Sequence, residues 1–300
     1  MSAPRYVFIV GMARTGTTLL RNVLNRSDEV GMGGESRFLV APRLLSLHRE
    51  RGFRDELREV GDLTTDSGAR RVVDHIYRIR KDNFWGKIAK GADRDEFLQH
   101  LLNSDRSERA LLDLALAFHA RGKPIRGEKT PAHIEVVPQI LEWFPNARIV
   151  HMIRDPRATF VSKQHKDGDR PSVLAPLRER AESLYELYAS VRTIERWRHV
   201  ISLHHRYRTQ FAGRYHLLRF EDLVTDPRTS INEVCRFIGI EFTEKMLDQT
   251  VTNSSFVQGA PVGGFNAKAI ERWRGILSPA LQRWFRLWCG RSLREFGYRP

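Results

Sequence analysis

The sequence predicts an α/β fold, a central parallel β-sheet flanked by helices with a helical cap inserted between two of its strands. Three observations carry that expectation. The segment Tyr6–Thr18, YVFIVGMARTGTT, reads as a strand, a tight loop and the start of a helix. Three further short strand candidates follow, each ending in turn residues and then helical periodicity, the alternation expected of a parallel sheet with helices on both faces. The stretch from about Ala41 to Arg121 has helical patches but few strand signals. With 300 residues, 41% hydrophobic and 29% charged, the chain has ample material for one large core. It shows no repeats, low-complexity tract or linker. A single domain over 1–300, with the cap at about 41–121, is the expected organisation.

The elements follow from local chemistry. Tyr6, Val7, Phe8, Ile9 and Val10 are β-branched or aromatic and end abruptly at Gly11; Leu19, Leu20, Val23 and Leu24 then recur at helical spacing. A short strand is expected near Pro124–Arg126. A helix over Ile134–Phe144 stops at Phe-Pro-Asn, just before the strand Ala147–Ile153. From Ala175 to about Phe211 apolar residues recur at helical spacing in a charged background, the pattern of one long surface helix or two. Tyr215–Phe220 is the fourth strand, and Pro227 opens a helix that Gly239 terminates. The segment Thr252–Asn266 is rich in Ser, Gly, Asn and Pro and reads as a loop. The last helix, Pro279–Phe296, alternates aromatics with arginines and is expected to pack against the sheet.

Composition narrows the function. The net charge is +14, dominated by arginines scattered along the chain. A nucleic-acid binder would carry a concentrated basic stripe and a recognisable module, and neither is present. A diffuse positive field suits anionic small molecules. Only Cys235 and Cys289 occur, and the eleven histidines fall in no metal-binding spacing, so no metal is expected. No apolar run approaches the roughly 20 residues of a transmembrane helix. The first strand begins at about Tyr6, which leaves no room for a cleaved signal peptide, and a cytoplasmic setting is the expectation.

The first loop carries the chemistry. Strand, loop and helix aim backbone N–H groups and a helix N-terminus at an anion. The segment nearly spells the nucleotide-binding P-loop GxxxxGK[ST], so the sheet is P-loop-like, but Thr17 stands at the lysine position and a cation appears earlier, at Arg14. Asp155, the acid after the third strand candidate, is flanked by Arg154 and Arg157, a poor setting for Mg²⁺. A P-loop kinase with an altered lysine is therefore the disfavoured enzymatic alternative, and a polyanion-binding protein the non-catalytic one. What remains is a metal-free oxyanion site of N–H donors, hydroxyls and a planar guanidinium. The segment ARIVHMIRDPRATFVSKQHK sets Arg154 at a strand end and Ser162 about two turns into the following helix. In an open α/β sheet both would meet the first loop at the carboxyl edge.

These two motifs make the chain resemble the sulfotransferases that use 3′-phosphoadenosine 5′-phosphosulfate (PAPS). That family binds the 5′-phosphosulfate on [K/R]-[S/T]-G-T-T, here Arg14, Thr15, Gly16, Thr17 and Thr18. It binds the 3′-phosphate on R-[D/N]-P-x₅-S, here Arg154, Asp155, Pro156 and Ser162. GEKTP at Gly127–Pro131, RFEDLVTDP at Arg219–Pro227 and the terminal LREFGYRP are similar to further family segments. GESR at Gly34–Arg37 resembles the G-E-[T/S]-R of tyrosylprotein sulfotransferases and their bacterial relatives, which carries the catalytic glutamate, here Glu35. Cytosolic small-molecule members place a histidine base in K-T-H, where this chain has Lys129-Thr130-Pro131.

The resemblance implies PAPS as donor, its desulfated product (PAP), and Glu35, Arg14 and Lys129 as catalytic residues. Arg37 nearby would keep Glu35 ionised while burial would raise its pKa towards a useful base; a loop salt bridge is the competing reading. Arg272 and Trp273 sit where the family's late loop closes on the nucleotide, with Trp273 either stacking on adenine or buried in the core. Phe220 replaces a frequent tyrosine near the adenine. Lys166, one turn beyond Ser162, is either a further phosphate contact or solvated. The acceptor implied is a hydroxylated small molecule, glycan or lipid, with peptide tyrosine less favoured, its contacts coming from the cap and the Thr252–Asn266 loop.

Overall fold

The structure, a computed structural model, describes residues 5–40, 51–167, 182–248 and 265–299. Five strands, β1 (Arg5–Gly11), β2 (Val30–Gly33), β3 (Ile125–Lys129), β4 (Ala147–Ile153) and β5 (Tyr215–Arg219), pair in the order β2-β3-β1-β4-β5. All four pairings are parallel, with Gly11 level with Met152 and Ile9 level with Lys129. The expected sheet is present with one strand more than the sequence announced. β2 is four residues, Val-Gly-Met-Gly, with too few β-branched side chains to signal itself. Its edge is partly closed by Asn25, whose amide exchanges hydrogen bonds with the Met32 backbone at 2.7 and 3.0 Å.

Helices cover both faces. α1 (Thr17–Leu24), α10 (Phe220–Thr225) and α11 (Pro227–Ile238) pack on one face around Val7, Ile9, Val150 and Met152. The other face carries α2 (Phe53–Val60), α3 (Asp66–Tyr77), α4 (Phe84–Gly91), α5 (Arg94–Leu102) and α6 (Glu108–Ala120). It also carries α7 (Val137–Trp143), α8 (Pro156–Asp167) and α9 (Glu182–Gln210), and α12 (Pro279–Glu295) joins the same core from outside them. Residues 53–120 are thus the expected helical insertion. Their apolar residues (Val72, Ile76, Leu111, Leu116) belong to the same core as Phe8 and Ile149, so the insertion is part of the sheet's cover. Helices α3 to α6 each start on a side-chain cap, from Thr65, Asn83, Asp93 and Ser107 respectively.

Two sequence expectations change in detail. Residues Pro131–Val136 form a 3₁₀ turn before α7, because Pro138 falls at the first turn of the α-helix. The C-terminal helix does not lie on the sheet: α12 packs against α8 and α9, with the Phe285 ring 5.6 Å from Phe160. The 29-residue α9 offers it the neighbouring surface instead, with Ile194, Trp197 and Ile201 buried in the same core. Among the described residues no helix is long and apolar enough to cross a membrane.

Candidate active site at the carboxyl edge of the sheet

From β1 the chain crosses towards β2, and from β4 it crosses the other way to β5, so the carboxyl ends of β1 and β4 flank a crevice where an α/β sheet receives its ligand. The loop after β1 is held from within: Thr15 donates its hydroxyl to the Met12 carbonyl at 2.8 Å. Arg14 and Gly16 take left-handed backbone angles, φ 73° and 85°. Gly16 caps α1 without any side-chain acceptor, unlike the starts of α3 to α6, and α1 has no acid in its first turn. A Cβ at Gly16 would stand 2.5 Å from the Phe220 ring, so glycine is required by both angle and space. Thr17 is buried and Thr18 half-buried at the first turn of α1.

Arg154 leaves the end of β4 and reaches this loop. Its guanidinium donates to the Arg14 carbonyl at 3.1 Å and the Ala269 carbonyl at 2.8 Å, and it lies 4.2 Å from the centre of the Phe220 ring. Its Nε is buried with no hydrogen-bond partner, and among the described residues it forms no ion pair with a carboxylate. Burial pulls its pKa down to about 10; Glu221 opposes that shift, while Arg14 and Arg272 add to it. Arg14 donates from Nε to the Ser162 hydroxyl at 3.1 Å. The two motifs predicted to meet therefore do meet, and three guanidiniums gather around one crevice.

The neighbouring residues explain what holds Arg154. The Trp197 indole of α9 donates to the Arg154 carbonyl at 3.1 Å. Glu221, in the FEDL segment, accepts the Asp155 N–H at 3.0 Å and the Tyr298 hydroxyl at 3.1 Å. Asp155 does not pair with Arg154; it is gripped by Arg157, 2.8 Å away and equally buried. That carboxylate is committed to an arginine. Arg157 in turn lies 3.9 Å from the centre of the Trp273 ring, with Arg274 at 4.8 Å. Trp273 is only 3% exposed, so of the two roles open to it the structure gives packing, not adenine stacking. Phe220 is the aromatic side chain that faces the loop, beneath Gly16 and Arg154.

On the other side of β1, the end of β3 brings Lys129 to Glu35, Nζ to Oε1 at 2.5 Å. Lys129 is nearly buried, 6% exposed, whereas Glu35 is 45% exposed. The expectation that burial tunes Glu35 beside Arg37 is corrected: the glutamate is open to solvent and its cationic neighbours are Lys129 and Arg21. Desolvation lowers the Lys129 pKa, and Glu35 opposes that shift. Arg21, on the second turn of α1, feels the Glu35 charge and is likewise lowered by burial. The sequence offered Arg21 as one more charged residue on a helix; its spacing of one turn beyond Thr17 and Thr18 was the available signal.

The Glu35 loop is pinned by groups the motifs left unexplained. The Ser36 N–H donates to Glu128 and to the Thr130 hydroxyl, at 3.0 and 3.1 Å, and its carbonyl accepts the Trp85 indole at 2.9 Å. Glu128 is fully buried, accepts the Thr130 hydroxyl at 3.0 Å, and lies 2.8 Å from Nδ1 of His133. Burial would raise its pKa, but His133 and the Ser36 hydrogen bonds prevail and hold it below the ordinary carboxylate value. His133 is thus placed against Glu128, below the site. The Lys166 side chain and residues 249–264, which include most of the expected acceptor loop, lie outside the described residues, as does the stretch 41–50.

Comparison with known proteins gives the family and the fold. The Sulfotransferase family model matches residues 4–244, and the chain belongs to that family. It is 24% identical over 282 residues to a protein-tyrosine sulfotransferase of Drosophila melanogaster, covering 93% of this chain and 46% of that protein. It is 25% identical over 173 residues to human carbohydrate sulfotransferase 3, covering 51% of this chain and 33% of that protein. The chain thus spans about half or less of the length of these relatives. Among solved structures, the sulfotransferase domain of the Synechococcus PCC 7002 olefin synthase superposes with TM-score 0.58 at 22% identity, covering 100% of this chain and 97% of that one. The sulfotransferase domain from the curacin biosynthetic pathway gives TM-score 0.57 at 17% identity, covering 100% and 99%. These two share its fold.

Proposed function

We propose that this member of the Sulfotransferase family moves a sulfuryl group from PAPS to an acceptor hydroxyl. The observation that carries the reading is the arrangement of two charged clusters across β1, Arg14 with Arg154 on one side and Lys129 with Glu35 on the other. Loop N–H groups with Thr17 and Thr18 hold the 5′-phosphate at the start of α1. Arg154 and Ser162 hold the 3′-phosphate, and Phe220 supports the loop beneath. Glu35 accepts the acceptor's proton as its oxygen attacks sulfur in line. Arg14 and Lys129 stabilise charge on the sulfuryl oxygens and on the bridging oxygen as the sulfur–oxygen bond to the 5′-phosphate breaks. The electron pair of that bond leaves on the nucleotide, which departs as PAP. The exposure of Glu35 suits this role, since the acceptor must reach it, and a nearly buried lysine places its charge where water screens it least.

The acceptor hydroxyl in this reading belongs to a small metabolite, glycan or lipid, with peptide tyrosine second. A cytoplasmic setting belongs to the same proposal and rests on Cys235 and Cys289, both buried and free of disulfide. Thermal shift with adenosine 3′,5′-bisphosphate against ATP–Mg²⁺ tests the donor site. Stabilisation by the bisphosphate is expected; stabilisation by ATP–Mg²⁺ alone would return the chain to kinase chemistry. Mass spectrometry of products made from isotopically labelled PAPS identifies the acceptor.

A further inference from the structure

Two stripes of exposed apolar side chains meet beside the carboxyl edge, outside the site. On α9, Leu184, Leu187, Tyr188 and Val191 share one helix face and are 61%, 47%, 37% and 45% exposed. On α12, Trp284, Leu287 and Trp288 share another; Leu287 is 74% and Trp288 46% exposed. The stripes converge on a groove of about 610 Å³ lined by Val191, Ile194, Glu195, Arg198, Trp284 and Trp288. The Trp284 and Trp288 rings sit edge to face at 5.5 Å, and the Trp284 indole N–H is buried without an acceptor. A contiguous apolar surface of this kind marks an interaction site.

The rim decides what covers it. Arg283, Arg286, Arg291 and Arg294 are exposed on α12, whose only acid is its last residue, Glu295. Arg198 lies 5.9 Å from the centre of the Trp288 ring, and Glu195 of the groove is 3.8 Å from Arg192. A second copy would set arginine against arginine in a chain whose net charge is already +14. Half-exposed tryptophan and leucine flanked by arginine, as on α12, is instead the composition of a helix face that lies in a bilayer interface, and α9 adds its apolar stripe with Glu186 and Glu195 among it. There the apolar side chains enter the acyl boundary and the guanidiniums meet lipid phosphates.

We propose that α9 and α12 form a docking surface for an anionic lipid bilayer. The surface stands whether or not the chain transfers sulfate. Trp197, on the same helix α9, is bonded to the Arg154 carbonyl, so docking would set the crevice beside the membrane plane.

Co-sedimentation of the full chain with phosphatidylcholine vesicles, with and without phosphatidylserine, tests the surface. Binding is expected only to the anionic vesicles. It should weaken by roughly fivefold per arginine in Arg291→Gln and Arg294→Gln, and at least tenfold in the double variant Leu287→Ser/Trp288→Ser. These positions are exposed, and unchanged circular dichroism would exclude misfolding. Absence of binding to anionic vesicles overturns the proposal. So does binding that the Leu287/Trp288 pair leaves unchanged, which would reduce it to net charge. A concentration-dependent dimer in light scattering that the same pair abolishes would assign the face to a second copy.

Discussion

The two sides of β1 handle charge in opposite ways. Towards β4, Arg154 is buried against two carbonyls and an aromatic ring, with Arg14 and Arg272 adding positive field and Glu221 and Asp155 opposing. Towards β3, opposite charges meet: Lys129 and Arg21 beside Glu35, while Glu128 lies against His133 and accepts the Ser36 N–H. A cluster of like charges at low dielectric is costly unless an anion joins it. A matched cluster is complete before anything binds. In the proposed reaction, the difference separates the side that would receive a dianion from the side that would move a proton.

The largest expected effect breaks the matched side. Glu35→Gln removes a carboxylate that is 45% exposed, so it should leave the fold intact while kcat falls by about 10²–10⁴-fold, the usual worth of a general base. Calorimetric affinity for adenosine 3′,5′-bisphosphate should barely change. Equal loss of turnover and affinity would make Glu35 a structural ion-pair partner and dissolve the distinction between the two sides.

Glu128 tests whether the match below the site is structural. Glu128→Leu strips the Ser36 N–H and the Thr130 hydroxyl of their buried acceptor and should cost about 3–5 kcal/mol in denaturant unfolding. Its lowered folded pKa also fixes the pH sign. The stabilisation is complete above the unfolded value near 4.5 and is lost as pH falls through the lower folded value. An unfolding free energy that shows no added acid sensitivity relative to Glu128→Gln would remove the charge from the account.

How much of this was legible in the sequence follows from contact distance along the chain. The loop at Arg14, the strand ending at Arg154 and the helix carrying Ser162 are local patterns, and the topology joins them by rule. The strut from Glu128 to Ser36 spans 92 residues and pairs a backbone N–H with a side chain, which leaves no periodicity to read. β2 is hidden because its four residues rely on Asn25 and β3 for pairing. Trp273 was legible only as a choice between ligand and core, and the Arg157 stack decides it. The packing of α12 was missed because an aromatic, arginine-rich helix suits a neighbouring helix as well as a sheet.

The cationic side is sharpened by Arg154→Ala. A charged hydrogen bond is worth about 1.5–3 kcal/mol, so bisphosphate affinity should fall roughly 10- to 150-fold. Adenosine 5′-phosphate, which lacks the 3′-phosphate, should lose far less. If both nucleotides weaken together, Arg154 acts by holding the Arg14 carbonyl and not by meeting a phosphate.

The smallest effect separates two jobs that one hydroxyl can do. Ser162 is 5% exposed and accepts the Arg14 Nε–H at 3.1 Å, so it links the helix after β4 to the loop after β1. As a phosphate ligand it would donate its own proton to the 3′-phosphate while its lone pairs still receive Arg14, since a hydroxyl can do both at once. Ser162→Ala removes the Arg14 bond in either case and a phosphate bond as well if Ser162 is a ligand, each worth about 0.5–1.5 kcal/mol or roughly 2- to 13-fold in affinity, so the two ranges overlap. The size is therefore uninformative, and the choice of nucleotide carries the answer. A loss confined to the 3′,5′-bisphosphate means that Ser162 touches the 3′-phosphate. An equal loss with adenosine 5′-phosphate means that it works through Arg14, and the crevice then depends on its guanidinium positions more than on its hydroxyls.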